Sequence, residues 1–258
     1  MPTTLKVAIT RPQQQGLQLQ QALDEVGISS ICQPLFDYQL KTSKTKLTRQ
    51  INSVKPEVII FVSAAAVEFA NQAFPLKAWL DEAQHVIAVG EKTLSTLTTL
   101  GVEAICPKTH NSEGMLALPQ LSSTQLNQRQ QKQKNILIVR GDGGREFLAE
   151  QLRLRGAKVE YLETYQRNWL TLSSKQAELW QQKNINTIII TSNDLLKRVV
   201  DLIDITDNYW QNTCLWLVVS ERIAQSAQKM GLKNIVNSNG ANNQSIITTL
   251  LNMESKND

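Results

Sequence analysis

The chain has 258 residues, a formal net charge of +4, 41% hydrophobic residues and 5% aromatic residues. This is a globular composition, long enough for one large domain or two of about 130 residues, and it is not that of a disordered chain. Three widely spaced cysteines (Cys32, Cys106 and Cys214), no CxxC and two histidines speak against a disulfide framework and a zinc site.

The first strand signal is Leu5–Thr10, which Arg11-Pro12 turns into an amphipathic helix over Gln13–Val26, stopped by Gly27. Ile28–Pro34 reads as the next strand, with an extended connector near Gln33–Gln39. Lys41, Lys44, Lys46 and Arg49, flanked by Thr and Ser, read as a solvated loop leading into a helix. They lack the interleaved stacking aromatics of a nucleic-acid footprint, so no nucleic-acid partner is expected. The β-branched run Val58–Val62 ends at Ser63, an N-cap for a helix over Ala64–Phe74. Val86–Val89 is a strand closed by Gly90, and the helix Glu91–Leu100 ends at Gly101. Val102–Ile105 reads as a further strand, and Asn111-Ser112-Glu113 opens a helix to Leu118. Ser122–Lys134 is Gln-rich and reads as an exposed loop.

The second half follows the same order. Ile136–Val139 leads through Arg140-Gly-Asp-Gly-Gly into a helix over Arg145–Arg155, Gly156 stops it, and Lys158–Tyr165 is a strand. Leu162–Asn168 is the second extended connector. Thr187–Thr191 leads to Ser192 and a helix, Leu215–Val219 leads to Ser220 and a helix ended at Gly231, and Ile235–Val236 precedes a last helix from Asn242. Met253–Asp258 reads as frayed. The N-terminus enters a strand at once and no apolar run approaches the roughly 18 residues of a membrane span, so a cytoplasmic protein with no membrane partner is expected.

These two orders are one order written twice. Arg11 and Arg140, Leu23 and Leu152, Gly27 and Gly156, and Ser63 and Ser192 each lie 129 residues apart; Glu91 and Glu221, and Gly101 and Gly231, lie 130 apart. A repeat of this length predicts two similar subdomains, and a ligand cleft where they meet. Alternation of strand and helix predicts an α/β fold with parallel sheets, whose ligands bind at the carboxyl ends of the strands. Arg11, Ser63, Gly90, Arg140, Ser192 and Ser220 all fall on that edge.

The glycine-rich turn after Arg140 is neither GxGxxG nor GxxxxGK[ST], so it reads as a turn, with anion binding at the following helix as the other reading. Ser63, Ser192 and Ser220 read as N-caps whose helices also offer free N–H groups to an anion. Arg11 and Arg140 each suit a carboxylate, in the protein or on a ligand. None of the serines sits in GxSxG, which speaks against a hydrolase triad. Tyr165, in TYQR, is from its residue type alone an ordinary strand aromatic that can donate a proton or hydrogen bond.

The ordered set ITRP, FVSAAAVEFA, AVGEKT, NSEGML, VRGDGGREFLAEQLRLRGAKVEYLETYQR, ITSNDLL, VVSERIAQSAQKMG and ANNQSIITTLL resembles the uroporphyrinogen-III synthase family over nearly the whole chain. The resemblance implies two α/β lobes joined by a two-stranded hinge. One lobe is residues 1–35 with 168–258, the other is 40–162, and 36–39 and 163–167 are the hinge strands. It implies a monomer without cofactor or metal that cyclises hydroxymethylbilane, a linear tetrapyrrole polycarboxylate, to uroporphyrinogen III with inversion of ring D. It leaves room for transient contact with hydroxymethylbilane synthase. It implies that Tyr165 assists departure of the substrate hydroxyl. The substrate contacts expected are Arg11, Ser63, Ala64, Gly90, Thr93, Arg140, Ser192, Asn193 and Ser220. Two other readings compete: a non-catalytic bilobed small-ligand-binding protein, and a nucleotide-dependent transferase, against which the missing glycine fingerprint counts.

Overall fold

The structure, a computed structural model, describes residues 4–80, 85–126, 133–144 and 146–254. In chain order the first half runs β1 (Lys6–Ile9), α1 (Gln13–Asp24), β2 (Ser29–Cys32), β3 (Phe36–Leu40), α2 (Lys44–Val54), β4 (Val58–Phe61), α3 (Ala64–Ala73), β5 (His85–Ala88), α4 (Glu91–Thr99), α5 (Ser112–Leu116) and α6 (Ser123–Leu126). The second half runs β6 (Asn135–Gly141), α7 (Phe147–Leu154), β7 (Lys158–Trp169), α8 (Gln176–Gln182), β8 (Thr187–Ile190), α9 (Asn193–Val200), β9 (Leu215–Val218), α10 (Glu221–Lys229), β10 (Ile235–Asn237) and α11 (Asn243–Glu254). The chain divides into two compact units, residues 1–37 with 168–258, and residues 38–167.

The first unit holds a five-stranded sheet in the order β10-β9-β8-β1-β2, parallel at every pair. Its central strands KVAI, TIII and LWLV are buried almost throughout, as expected where helices cover both faces of a parallel sheet. Each fully buried Ile or Leu in them contributes about 1.5–3 kcal/mol. Helix α1 lays Gly16, Leu19 and Leu23 against the sheet. Gly16 is required there, because a Cβ at that position would collide with Cys32 Sγ. Asn186 fastens β1 to β8. Its Oδ1 accepts from Lys6 N at 2.8 Å, its Nδ2 donates to Thr4 O at 3.0 Å, and its own N–H donates to Lys6 O at 3.0 Å.

The second unit holds the order β3-β7-β6-β4-β5, with β7, β6, β4 and β5 mutually parallel. One face, with Ile59, Phe61, Val139 and Leu162, packs against α2, α3 and α4; the other, with Ile60, Ile136, Ile138 and Val159, packs against α5 and α7. The four glycines that stop repeat-equivalent helices, Gly27, Gly101, Gly156 and Gly231, have φ of 81°, 70°, 93° and 92°, a conformation side chains disfavour and helix C-termini use.

Several sequence expectations change. Val102–Ile105 forms no strand; only Ile105 bridges to Ile87, because the segment lies at the sheet edge with pairing on one side. The Gln-rich segment contains α6, anchored by buried Leu126, and Lys134 is buried where β6 begins; residues 127–132 of it lie outside the described residues. Lys44, Lys46 and Arg49 belong to α2 itself. Lys44 sits 4.7 Å over the Phe74 ring and Lys41 pairs with Glu163 at 2.5 Å, so these cations are used within the unit. The helix expected from Arg145 starts at Phe147, with Arg145 outside the described residues, and most of the frayed terminus, 255–258, also lies outside them. Helix α8 and the short π-helical turn Tyr209–Thr213 had no clear sequence signal.

Asn186→Ala should lower stability by about 1–3 kcal/mol, since it leaves the Lys6 N–H of β1 without its acceptor. Urea unfolding followed by circular dichroism should show a lower midpoint; an unchanged midpoint would show that β1 is held by burial alone.

Candidate active site

Pairing of β7 with β6 is regular until Arg140 lies opposite Glu163; the next pair is Gly141 with Tyr165. Thr164 is the extra residue of a bulge, and bulges re-aim the side chain that follows. Tyr165 is turned onto the face that carries Phe61, Val139 and Leu162. Its ring stacks on Phe69 (centroids 5.4 Å apart, 30° between planes) and meets the edge of Tyr38 at 4.8 Å and 75°. The backbone of Gly141 lies directly against it: a Cβ there would stand 2.7 Å from Cε2 and Cζ of the phenol. No larger residue fits at 141 without moving Tyr165.

The phenol oxygen lies 3.2 Å from Ser63 Oγ. Ser63 holds an extended backbone at the N-cap of α3 and accepts from Ala66 N at 3.0 Å. With that oxygen already an acceptor, the serine hydrogen is free to be donated to the phenol oxygen. Such a donation steadies negative charge on the tyrosine and leaves its own proton available to a ligand.

Arg140 faces the other side of the sheet. Its guanidinium is buried, with Nε donating to Gly143 O at 3.1 Å, one terminal nitrogen donating to Glu146 Oε1 at 2.8 Å, and the plane 4.5 Å over the Tyr161 ring. Arg140 thus pairs with a carboxylate within the protein. Glu146 also accepts from the Tyr161 hydroxyl, and this bond, then Arg140, holds its carboxyl below the usual range; burial and the same bond push the Tyr161 phenol up. Beside Arg140 lies a pocket of about 320 Å³, walled by Val62, Val89, Ile138, Met115 and Leu148.

The remaining expected residues take these places. Ala64 is the first residue of α3, Gly90 precedes α4, and Thr93 is buried in α4. Gly90 is close to His110, whose Cβ would lie 3.0 Å from an added Cβ. In the first unit, Arg11 ends β1 buried, donating to Asn243 Oδ1 at 3.0 Å and to Ala241 O; burial lowers its pKa to about 10. It has no carboxylate partner among the described residues. Ser192 caps α9 by accepting from Leu195 N at 3.2 Å. Asn193 Oδ1 is buried without a hydrogen-bond partner among the described residues. Ser220 occupies the N-cap position of α10, but its hydroxyl makes no capping bond, which corrects the expectation for its side chain.

Sequence reasoning missed Tyr38, Phe69, Gly141 and Tyr161, which surround Tyr165 or Arg140. Aromatic residues are only 5% of the chain, and three of them, Tyr38, Phe69 and Tyr165, form one cluster. The only available signal was strand alternation in KVEYLETY, and the bulge breaks it.

Two α/β units, each built on parallel strands drawn from distant parts of the chain, and a tyrosine hydrogen-bonded to a helix-capping serine define the class: a two-unit α/β protein with a tyrosine-centred site. Comparison with known proteins gives the family. The profile described as uroporphyrinogen-III synthase HemD matches residues 18–248. Over 253 residues the chain is 28% identical to the uroporphyrinogen-III synthase of Escherichia coli and 30% identical to that of Salmonella typhimurium, covering 95% of this chain and 100% of each relative. Among solved structures, a mutant uroporphyrinogen III synthase from Thermus thermophilus superposes with a TM-score of 0.62 at 12% identity, covering 98% of this chain and 100% of that one. The Helicobacter pylori enzyme superposes with a TM-score of 0.59 at 14% identity, covering 96% and 99%; both show the same fold. The chain belongs to the uroporphyrinogen-III synthase family, a family of lyases.

Tyr161→Phe removes the largest influence lowering the Glu146 pKa, so the Glu146 carboxyl should titrate at higher pH than in the parent protein. The lowered pKa contributes stability that is present above the ordinary carboxylate range and is lost as pH falls through the folded-state value. NMR titration of the Glu146 side chain checks this; an unmoved titration would assign the shift to Arg140.

Proposed function

We propose that this chain cyclises hydroxymethylbilane to uroporphyrinogen III with loss of water and inversion of ring D. The observation that carries the assignment of roles is the phenol of Tyr165, 3.2 Å from a serine hydroxyl that is free to donate to it. Tyr165 gives its proton to the departing hydroxyl of the ring A hydroxymethyl group. The phenolate left behind is held by the hydrogen bond from Ser63. Loss of the hydroxyl leaves an azafulvenium-like cation, which the substituted carbon of ring D attacks to give a spiro pyrrolenine. Fragmentation and recombination then close the macrocycle with ring D inverted, and the proton released as ring D regains its aromaticity returns to the phenolate. The unaided reaction gives the symmetrical isomer, so the protein acts chiefly by presenting one carbon of ring D before the other.

The eight carboxylates of the substrate suit the free N–H groups at the starts of α3, α4 and α9, where Ser63, Ala64, Gly90, Thr93, Ser192 and Asn193 lie. The partnerless Oδ1 of Asn193 supports its inclusion, as does the uncommitted hydroxyl of Ser220. Arg11, with no carboxylate of its own, is included as a cation near the carboxyl edge of β1. The proposal includes a hinge at residues 36–39 and 163–167. The chain passes from one unit to the other within β3 and within β7, which supports it. It also includes a monomeric cytoplasmic enzyme in transient contact with hydroxymethylbilane synthase. No helix among the described residues is long and apolar enough to cross a membrane.

The test is a coupled assay in which porphobilinogen and its deaminase supply hydroxymethylbilane and the oxidised products are separated chromatographically. Type III isomer that depends on this protein is the expected result; type I alone from folded protein would overturn the proposal. Tyr165→Phe should lower turnover about a hundredfold, within the range of general-acid catalysis, with an unchanged circular dichroism spectrum. Full activity in that variant would remove Tyr165 from the role of acid.

A further inference from the structure

The pocket beside Arg140 lies on the face of the sheet opposite the Tyr165 ring, and the proton transfer proposed above makes no use of it. Its walls are mainly apolar: Val62 and Val89 follow β4 and β5, Ile138 comes from β6, Met115 from α5, Leu148 from α7 and the Tyr161 ring from β7. Polar groups at one end are nearly all donors. Arg140 spends Nε on Gly143 and Nη1 on Glu146, and Nη2 has no acceptor among the described residues. The residue as a whole is only 5% exposed, and it lines the pocket. Asn111 uses its Oδ1 to cap α5, accepting from Gly114 N at 2.8 Å, which leaves its amide hydrogens unspent among the described residues. The Ser112 hydroxyl beside it also has no partner among them. The nearby Glu146 carboxylate accepts from Arg140 and from Tyr161.

A largely buried guanidinium with one N–H edge free among the described residues, two neutral donors and mainly apolar walls together select one kind of ligand. We infer that this pocket binds a carboxylate carried on a short aliphatic arm, with Arg140 Nη2 as its anchor and Asn111 and Ser112 as auxiliary donors. Inorganic phosphate would leave the apolar walls against water, and a neutral aliphatic ligand would leave the guanidinium edge unpaired, which is costly in a buried site. The arm belongs either to a carboxyl side chain of the tetrapyrrole, which rests on the synthase reading above, or to a free short-chain carboxylate.

Two variants separate the sources. Arg140→Gln removes the anchor, and Ser112→Phe fills the mouth from α5 while leaving the Arg140–Glu146 pair intact. The probe is sodium propionate, titrated into the full-length protein and followed by NMR of labelled Arg and Met side chains. Perturbation of the Arg140 and Met115 signals in the parent protein, lost in both variants, is the expected result. In the coupled assay both variants should raise KM about tenfold, the scale of one charge-assisted hydrogen bond, and by more than they lower kcat, if the arm is the substrate's. Propionate binding with KM unmoved would assign the pocket to a free carboxylate. No propionate-dependent shift, together with parental KM in both variants, would overturn the inference while leaving type III formation by the parent protein intact. Propionate binding without type III formation would do the reverse.

Discussion

Two strand pairings carry this architecture: β1 on β8 in one unit, and β6 on β4 in the other. They are the same pairing. Val7 lies opposite Thr187 and Ile136 opposite Val58, and an offset of 129 converts one pair into the other. In each unit the opening strand of one repeat docks on the strand that precedes the Ser63- or Ser192-capped helix of the other repeat. Every further feature depends on this exchange. It places Arg11 beside the β8–α9 junction and Arg140 beside the β4–α3 junction, and it brings the Ser63 hydroxyl within reach of Tyr165, 102 residues further along the chain.

The second unit uses the two faces of its sheet for different purposes. Regular alternation along β7 sends Tyr161 toward α7 and Leu162 toward α3. One extra residue, Thr164, then brings Tyr165 back to the side of Leu162. A strand without the bulge would put both tyrosines on the Arg140 side and leave the Ser63 hydroxyl without its aromatic partner. Gly141 completes the arrangement, since the space where its side chain would be is filled by the phenol ring. The glycine-rich turn therefore serves two neighbours at once: Gly141 admits Tyr165, and the carbonyl of Gly143 fixes Arg140.

Much of the fold was legible because burial and periodicity are local. Runs such as VIIF, ILIV and TIII announce strands, and the helix-stopping glycines mark where helices end. The exchange of strands was not legible from the repeat, because pairing within a repeat and pairing across repeats would use the same register and bury the same side chains. What selects the exchange is the connection after β2, where β3 follows within a few residues and leaves no length for a crossover helix back to the same sheet. The site was legible in part. Ser63 and Ser192 show themselves as helix caps, and both bond as caps do. Ser220 has the same local sequence signal but makes no cap bond, and nothing in its neighbours reveals the difference. Tyr38 and Phe69 were out of reach, since they come from separate elements and meet Tyr165 only through tertiary packing.

The exchange also sets an order of events during synthesis. Residues 38–167 are contiguous, so that unit has all its strands once the ribosome has passed β7. The segment β1–α1–β2 emerges long before the rest of its unit, since the strand that covers the inner edge of β1 begins at Thr187. At about 5–20 residues per second that edge stays open for roughly 9–36 s, with an apolar strand exposed beside it. A strand made well before its native partner thus waits for it, and the nascent protein depends on whatever shields that strand in the meantime.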